Sequence, residues 1–408
     1  MVQIGEIYVG GKEGHPQTGI IYNSGVAFSL NVKSPINHHF EYESGNWEVE
    51  ISKNNQNIIA RCKDFLAEDD ILAKGFDYCQ KFLDMLSILQ NTTLLIQKPN
   101  LDFFLLFNNN GQTIGRITSN GNLKIEVEAT IQILDKEGKE KPTPPESIPD
   151  WLPTLRYFRF SQSESDLYDA YRYLYLSFES LLQDIIPITP GEREVDWMNR
   201  ALTEIGKQVR LVNFVPNGVD PIQYIIGVYY EHFRCKIFHA KNRNYILPHE
   251  SIDTKKLTDA FIGLSVLWRE IAKTFKNIPM KGGVITYQGF MFFMDPVGTQ
   301  GFEHQFTEDP SPVDLSLTQI NPLGHPVYVS TNNTYIRDYK PGIVLFKGEI
   351  ENIEQLGLGL IHRIGLKSGK TLYTVSFFEE GIIPIGIDKL ERYETMRLLN
   401  KSSPKIFF

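Results

Sequence analysis

The sequence predicts a multidomain α+β protein. A central all-α helical bundle is flanked by an N-terminal α+β domain and a C-terminal β-rich domain. Three observations predict this. Alternating and aromatic-rich runs broken by Asn23-Ser24-Gly25 and Glu43-Ser44-Gly45 mark strands joined by tight turns early in the chain. Apolar residues then take up helical spacing from 151 to 276, just after a charged, proline-rich tract at 136–150. After Pro279-Met280-Lys281-Gly282-Gly283 short strand-like runs return. The expected domains are 1–145, 151–276 and 282–408.

In the first domain, Ile20 to Val32 and His39 to Ile51 read as strands. Between Asp64 and Gln90 the period changes: Ile71, Phe76, Cys79, Phe82, Leu83, Leu86 and Leu89 fall on one helical stripe. Further strands are expected at 94–97, 103–107, 115–119 and 123–133, with Asn110-Gly111 and Asn120-Gly121 as turns. In the central domain, Ser163 or Ser165 is expected to cap a helix reaching Asp184, stopped by Pro187-Ile188-Thr189-Pro190-Gly191. A second helix covers Glu194 to Val209. Asp220-Pro221 opens a third, through Phe238, because Asp caps and proline suits a first turn. Ser251 or Asp253 caps a fourth, ending at Phe275. In the third domain, strands are expected at 284–293, 327–330, 343–350, 359–366 and 372–378, and the last part resembles a small SH3-like barrel.

Composition narrows the function. With 408 residues, 42% hydrophobic and 22% charged, the chain can bury substantial cores. A net charge of −8 argues against coating nucleic acid non-specifically, yet leaves room for one local basic site. Cys62, Cys79 and Cys235 are too few and too widely spaced for a zinc site or a disulfide framework. The N-terminus lacks the basic start and apolar run of a signal peptide, and no apolar run approaches the ~20 residues of a membrane span. A cytoplasmic protein without a membrane partner is expected.

Chemistry concentrates in Glu231-His232-Phe233-Arg234-Cys235-Lys236-Ile237-Phe238-His239-Ala240-Lys241-Asn242-Arg243. A guanidinium can bind two phosphate oxygens, and an imidazole can move a proton near neutral pH. Lys236, Lys241 and Arg243 add phosphate-binding charge. An ideal helix places residues five apart about 140° from each other. Arg234 and His239 therefore meet only if His239 leaves the helix, or if two subunits contribute. The bland alternative is that both simply neutralise a helix C-terminus. Glu179, inside the apolar run of the first central helix, either orients this pair or is a buried carboxylate paired with Arg172 or another base.

The helix ending Arg234-Cys235-Lys236-Ile237-Phe238-His239 resembles the Arg-x4-6-His signature of the HEPN superfamily (higher eukaryote and prokaryote nucleotide-binding domains). Tyr173-Leu174-Tyr175-Leu176-Ser177-Phe178-Glu179-Ser180-Leu181-Leu182 resembles that family's first helix, with an acidic residue before a Leu-Leu pair. The likeness covers residues 160–276 and is closest to the Apea-like branch, which includes proteins of methylamine-utilisation loci. The resemblance implies a helical domain that dimerises and sets two Arg-His pairs in one cleft. It implies a metal-independent endoribonuclease of defence or toxin–antitoxin systems, leaving a 2′,3′-cyclic phosphate and a 5′-hydroxyl, with no cofactor. Arg234 would stabilise the phosphate and His239 would be general acid or base. Cys235 departs from the polar Asn or Asp usual at that position, which bears on catalysis more than on fold. The second reading is a non-catalytic HEPN-like dimer that binds a nucleotide, RNA or a protein, the flanking β-rich domains offering surfaces for protein partners.

Overall fold

The computed structural model describes residues 1–90, 92–97, 102–121, 138–139, 150–164, 166–239, 245–246, 251–278, 286–313, 319–340 and 342–398. The protein is mixed α+β, with helices and two large sheets. It divides into two compact units: Met1–Ile125 with Ile285–Leu398, and Glu126–Val284 with Leu399–Phe408.

The first unit holds both sheets. One runs, in spatial order, Val327–Val329, Glu303–Thr307, Ile361–Ser368, Thr371–Pro384, Val2–Ile4 and Ile7–Gly10. The other runs Thr331–Lys340, Ile343–Glu351, Lys389–Arg397, Gln112–Gly121, Phe103–Asn109, Ser24–Ser29, Asn57–Cys62, Trp47–Ile51 and His38–Tyr42. Strand alternation is plain in Trp47–Ile51. Trp47, Val49 and Ile51 are buried, while Glu48 and Glu50 face the other way and each reach Arg61 Nη2 at 2.6 Å. Asn110 and Gly111 both take positive φ (52° and 79°) and close the hairpin in which Asn109 faces Gln112. A two-residue turn of that shape matches the strand twist.

Val2, Ile4 and Val9 from the six-stranded sheet pack with Phe104, Leu106 and Ile117 from the nine-stranded one. The helix Glu68–Leu89 lays Ile71, Cys79, Phe82 and Leu86 against Val26, Phe28, Trp47, Leu105 and Phe107 on the other side of that sheet.

The structure departs from several expectations. The flanking segments 1–145 and 282–408 share both sheets. Val2–Ile4 pairs antiparallel with Thr371–Pro384, and Lys389–Arg397 pairs parallel with Gln112–Gly121. The segment from Ile343 to Tyr393, expected to resemble a small SH3-like barrel, is split between the sheets: Ile343–Glu351 and Lys389–Arg397 lie in one, Ile361–Ser368 and Thr371–Pro384 in the other. Periodicity reports which face of a strand is buried and says nothing of its neighbour. Asn120-Gly121 is not a turn. Both residues lie in a strand opposite Thr395 and Met396. The expected strand at 284–293 is the helix Tyr287–Thr299 instead. Thr286 caps it by accepting from Gly289 N (3.1 Å), and Phe290, Met291, Met294 and Val297 fall at helical spacing into the core. No strand was expected between 293 and 327, yet Glu303–Thr307 forms one that is largely buried. The expected strand at 123–133 lies outside the described residues.

The described elements of the second unit are helices: Pro153–Ser163, Leu167–Ile185, Glu194–Ile205, the continuous run Pro221–Ile225, Ile226–Arg234 and Cys235–Phe238, then Ser251–Lys276, with a short 3-10 turn Leu211–Phe214. Asp166 caps Leu167–Ile185, its carboxylate accepting from Tyr168 N and Asp169 N at 2.9 Å each. The expected cap Ser163 instead ends the preceding helix, and Ser165 lies outside the described residues. That preceding helix stacks Phe158 on Trp268 (4.1 Å between rings) and lets Trp268 Nε1 donate to Thr154 (3.1 Å). Tyr171, Leu174, Phe178, Leu181 and Leu182 pack with Trp197, Leu202, Tyr229, Phe233, Phe261 and Leu264 as one core.

Gly75 tests the helix-on-sheet contact of the first unit. A Cβ there would stand 2.3 Å from Val26 Cγ1. Glycine to alanine inside a helix ordinarily gains about 1 kcal/mol. Here overpacking should exceed that gain, and Gly75→Ala should lose about 1–2 kcal/mol net. Urea unfolding reads this directly, and a raised midpoint would contradict the close approach.

Candidate functional site

Three helices of the second unit converge on Arg234. Leu167–Ile185 presents Tyr175 and Glu179, four residues apart and so on one face. Glu194 is the first residue of Glu194–Ile205, where the helix dipole favours a carboxylate. The third helix starts as expected, with Asp220 accepting from Gln223 N (2.9 Å) and Pro221 in the first turn. It then winds as a π-helix from Ile226 to Arg234, with Cys235 N donating to Tyr230 O five residues back. The last turn, Cys235–Phe238, is α-helical.

His239 leaves the helix at φ −122° and ψ 77°. This departure brings its Nε2 to 3.4 Å from Arg234 Nη1 within one chain, despite the unfavourable spacing on an ideal helix. Two chains are not needed to form the pair. Arg234 Nη2 lies 3.2 Å from Glu194 Oε1, and Tyr230 Oη donates to Glu194 Oε2 at 3.0 Å. The guanidinium carbon also sits over three rings: Tyr230 (5.2 Å), Phe238 (5.6 Å) and Tyr175 (5.9 Å). The Arg234 side chain is only 19% exposed, so these faces and Glu194 replace most of its water. Burial is the largest influence and opposes the Arg234 charge, but Glu194, Tyr175, Glu179 and Tyr230 together outweigh it and hold the group protonated, above its ordinary value.

Glu179 belongs to the same cluster. Burial, a hydrogen bond with Glu194 and the Glu194 charge push its carboxyl up to about 7, against the opposing pull of Arg234. Two carboxyls this close share a proton more readily than both ionise. Arg172 does not match Glu179. It pairs with Asp169 (2.8 Å) and donates to Ile237 O (3.1 Å), satisfying a carbonyl at the end of the third helix. Lys236 meets His232, Nζ to Nδ1 at 3.3 Å. Lys241 and Arg243 lie outside the described residues.

The structure thus brings together Arg234, His239 and Glu179 of the residues singled out in the sequence. Glu194, Tyr230, Tyr175 and Phe238 were missed. The signal available for Glu194 was an acidic residue at a helix start, which most helices carry for capping reasons alone. Chemically, the cluster offers a fixed guanidinium, an adjacent imidazole, and a carboxyl that exchanges its proton near neutrality.

Among the described residues, no group of three or more His, Cys, Asp and Glu side chains is placed to hold a metal ion, and no helix is long and apolar enough to cross a membrane. In comparisons with known proteins, no family model, no curated protein and no solved structure matches the chain.

The Glu179 shift makes stability depend on pH. Its carboxyl rises from an ordinary 4.5 to about 7, so between these values the folded state binds more protons than the unfolded state. Stability should therefore fall as pH rises through that window. Glu179→Gln should flatten this fall, with melting temperature followed by circular dichroism from pH 4 to 8. An unchanged slope in the variant would remove Glu179 as its source.

Proposed function

We propose that the helical unit is a HEPN-type, metal-independent endoribonuclease, acting in prokaryotic defence or a toxin–antitoxin pair. The contact between Arg234 Nη1 and His239 Nε2 carries this reading. It couples a phosphate-binding fork to a proton carrier, which is what 2′-OH attack on phosphorus needs. Neutral His239 would take the ribose 2′-OH proton while the 2′-oxygen attacks phosphorus. Arg234 would stabilise the added phosphoryl charge through Nη1, while Glu194 holds Nη2. The 5′-oxygen would leave with a proton from a second imidazolium, that of a paired protomer. Products are a 2′,3′-cyclic phosphate and a 5′-hydroxyl. Glu179, bearing a proton shared with Glu194, would set how firmly Glu194 grips Arg234. Lys236, Lys241 and Arg243 would meet flanking phosphates.

A second reading rests on the same cluster. Arg234 is already ion-paired and caged by three rings, and Cys235 follows it where a polar residue is expected. These features favour a non-catalytic module in which Arg234 and His239 bind an RNA phosphate or a nucleotide.

Incubation of purified protein with labelled RNA in EDTA decides between them. His239→Ala and Arg234→Lys should each lower cleavage by ~10²-fold or more. Lysine is chosen because it keeps a cation between the carboxyls while losing the planar fork. DNA, without a 2′-OH, should not be cut. Equal activity in wild type and His239→Ala, or dependence on a divalent metal, overturns the mechanism. RNA binding without cleavage, weakened by both variants, selects the second reading.

The paired-protomer step adds a further expectation. Cleavage per chain should fall on dilution in parallel with dissociation of a homodimer seen by light scattering. Full activity from a strict monomer would show that one Arg-His pair suffices.

A further inference from the structure

The first unit contains a cavity of about 800 Å³, lined by the strands Phe103–Asn109 and Gln112–Gly121 of one sheet and Thr371–Pro384 of the other. This size suits a small molecule. Its wall includes a hydroxyl pair, Ser119 and Ser376, with Oγ atoms 3.2 Å apart. Behind them lies Arg392, fully buried, whose Nη2 donates to both Oγ atoms, at 2.8 Å for Ser376.

Counting protons shows what the pair lacks. Two hydroxyls carry two protons, and the Oγ–Oγ contact uses one. Both oxygens already accept from Arg392, and the second proton meets no acceptor among the described residues. A hydroxyl that accepts from a guanidinium is also a better donor. The wall therefore offers one strong O–H to an acceptor atom in the cavity.

The surroundings restrict what carries that acceptor. Arg392 is balanced by the equally buried Glu394, 3.4 Å from Nη2, so the floor holds no net positive charge. Glu380 also lines the cavity, which disfavours a phosphate or other multiply charged anion. Phe103 and Phe377 supply aromatic faces from opposite sheets. We propose that this cavity binds a neutral, planar heterocycle with a ring carbonyl, of the nucleoside class. The carbonyl would accept from the Ser119–Ser376 pair, and the ring would lie against Phe103 and Phe377. The assignment is independent of any ribonuclease activity in the other unit.

Calorimetric titration of the full chain with uridine, guanosine and adenosine tests it. Uridine and guanosine carry ring carbonyls; adenosine has none. At least one of the first two should bind about tenfold more tightly than adenosine, the worth of one good hydrogen bond. The double variant Ser119→Ala/Ser376→Ala should lose that preference. Each single variant should keep it, because the remaining hydroxyl still accepts from Arg392 and frees its own proton. Phe377→Ala should weaken whichever of uridine and guanosine binds by about tenfold through lost stacking, giving a second readout should the double variant not fold. The proposal is overturned by absence of nucleoside binding at millimolar concentration, by equal binding of adenosine, or by displacement with inorganic phosphate. Binding confined to a single-stranded oligonucleotide would also overturn it, since that would assign the surface to a polyanion.

Discussion

Parallel pairing between Lys389–Arg397 and Gln112–Gly121 ties the last strand of the described chain to one laid down before the helical unit begins. The nine-stranded sheet depends on this seam to join the early strands to the late ones. It continues the nine-stranded sheet into Ile343–Glu351 and Thr331–Lys340. Charged residues define it. Arg116 bridges Glu391 and Glu68 on the helix Glu68–Leu89, Arg392 bridges the two serine-bearing strands, and Arg397 donates to Asn120 Oδ1 at 2.7 Å. A slip of one residue would turn each of these charges to the opposite face. Partnered buried charges add little net stability, yet they penalise every alternative register, because an unpaired buried charge is costly.

Arg234 poses the same electrostatic problem in the second unit and reaches a different solution. One carboxylate, three ring faces and an imidazole edge surround it. The guanidinium is held by the Glu194 carboxylate on Nη2 and meets the His239 imidazole on Nη1. That asymmetry leaves one edge of the fork able to exchange partners. The π-helical stretch ending at Arg234 is a feature rare in helix interiors and enriched at functional sites. It strengthens the case that this end of the helix was shaped by something other than packing.

The two units present different chemistry. The helical unit concentrates one cation, one imidazole and two carboxyls that contend for a proton. The sheet unit contains a cavity whose hydroxyl pair is backed by a neutralised Arg392–Glu394 couple. The proposed ligands differ accordingly, a phosphate for the first and a neutral ring for the second. An RNA-directed activity in one unit and recognition of a nucleoside in the other would use the same family of ligands at two distinct places.

Local order was legible in the residues. The Asp220-Pro221 helix start, the Asn110-Gly111 hairpin, the stripe of Glu68–Leu89 and the helical character of the central segment all follow from interactions within a few positions, which propensity and periodicity report directly. The helix Tyr287–Thr299 was misread because a run of Phe and Met suits either period. Arg234, His239 and Glu179 were identifiable as residue types suited to the chemistry. Their meeting was not, because it depends on where the third helix ends and on Glu194 arriving from another helix. Likewise Ser119, Ser376 and Arg392 are unremarkable in sequence and become a site only when strands from the two sheets face each other. What the sequence by itself determined was therefore each segment's conformation and buried face. Tertiary structure alone decided which segments became neighbours. Pairing across hundreds of residues depends on complementary surfaces and on satisfying buried charge, and neither is written in the local pattern.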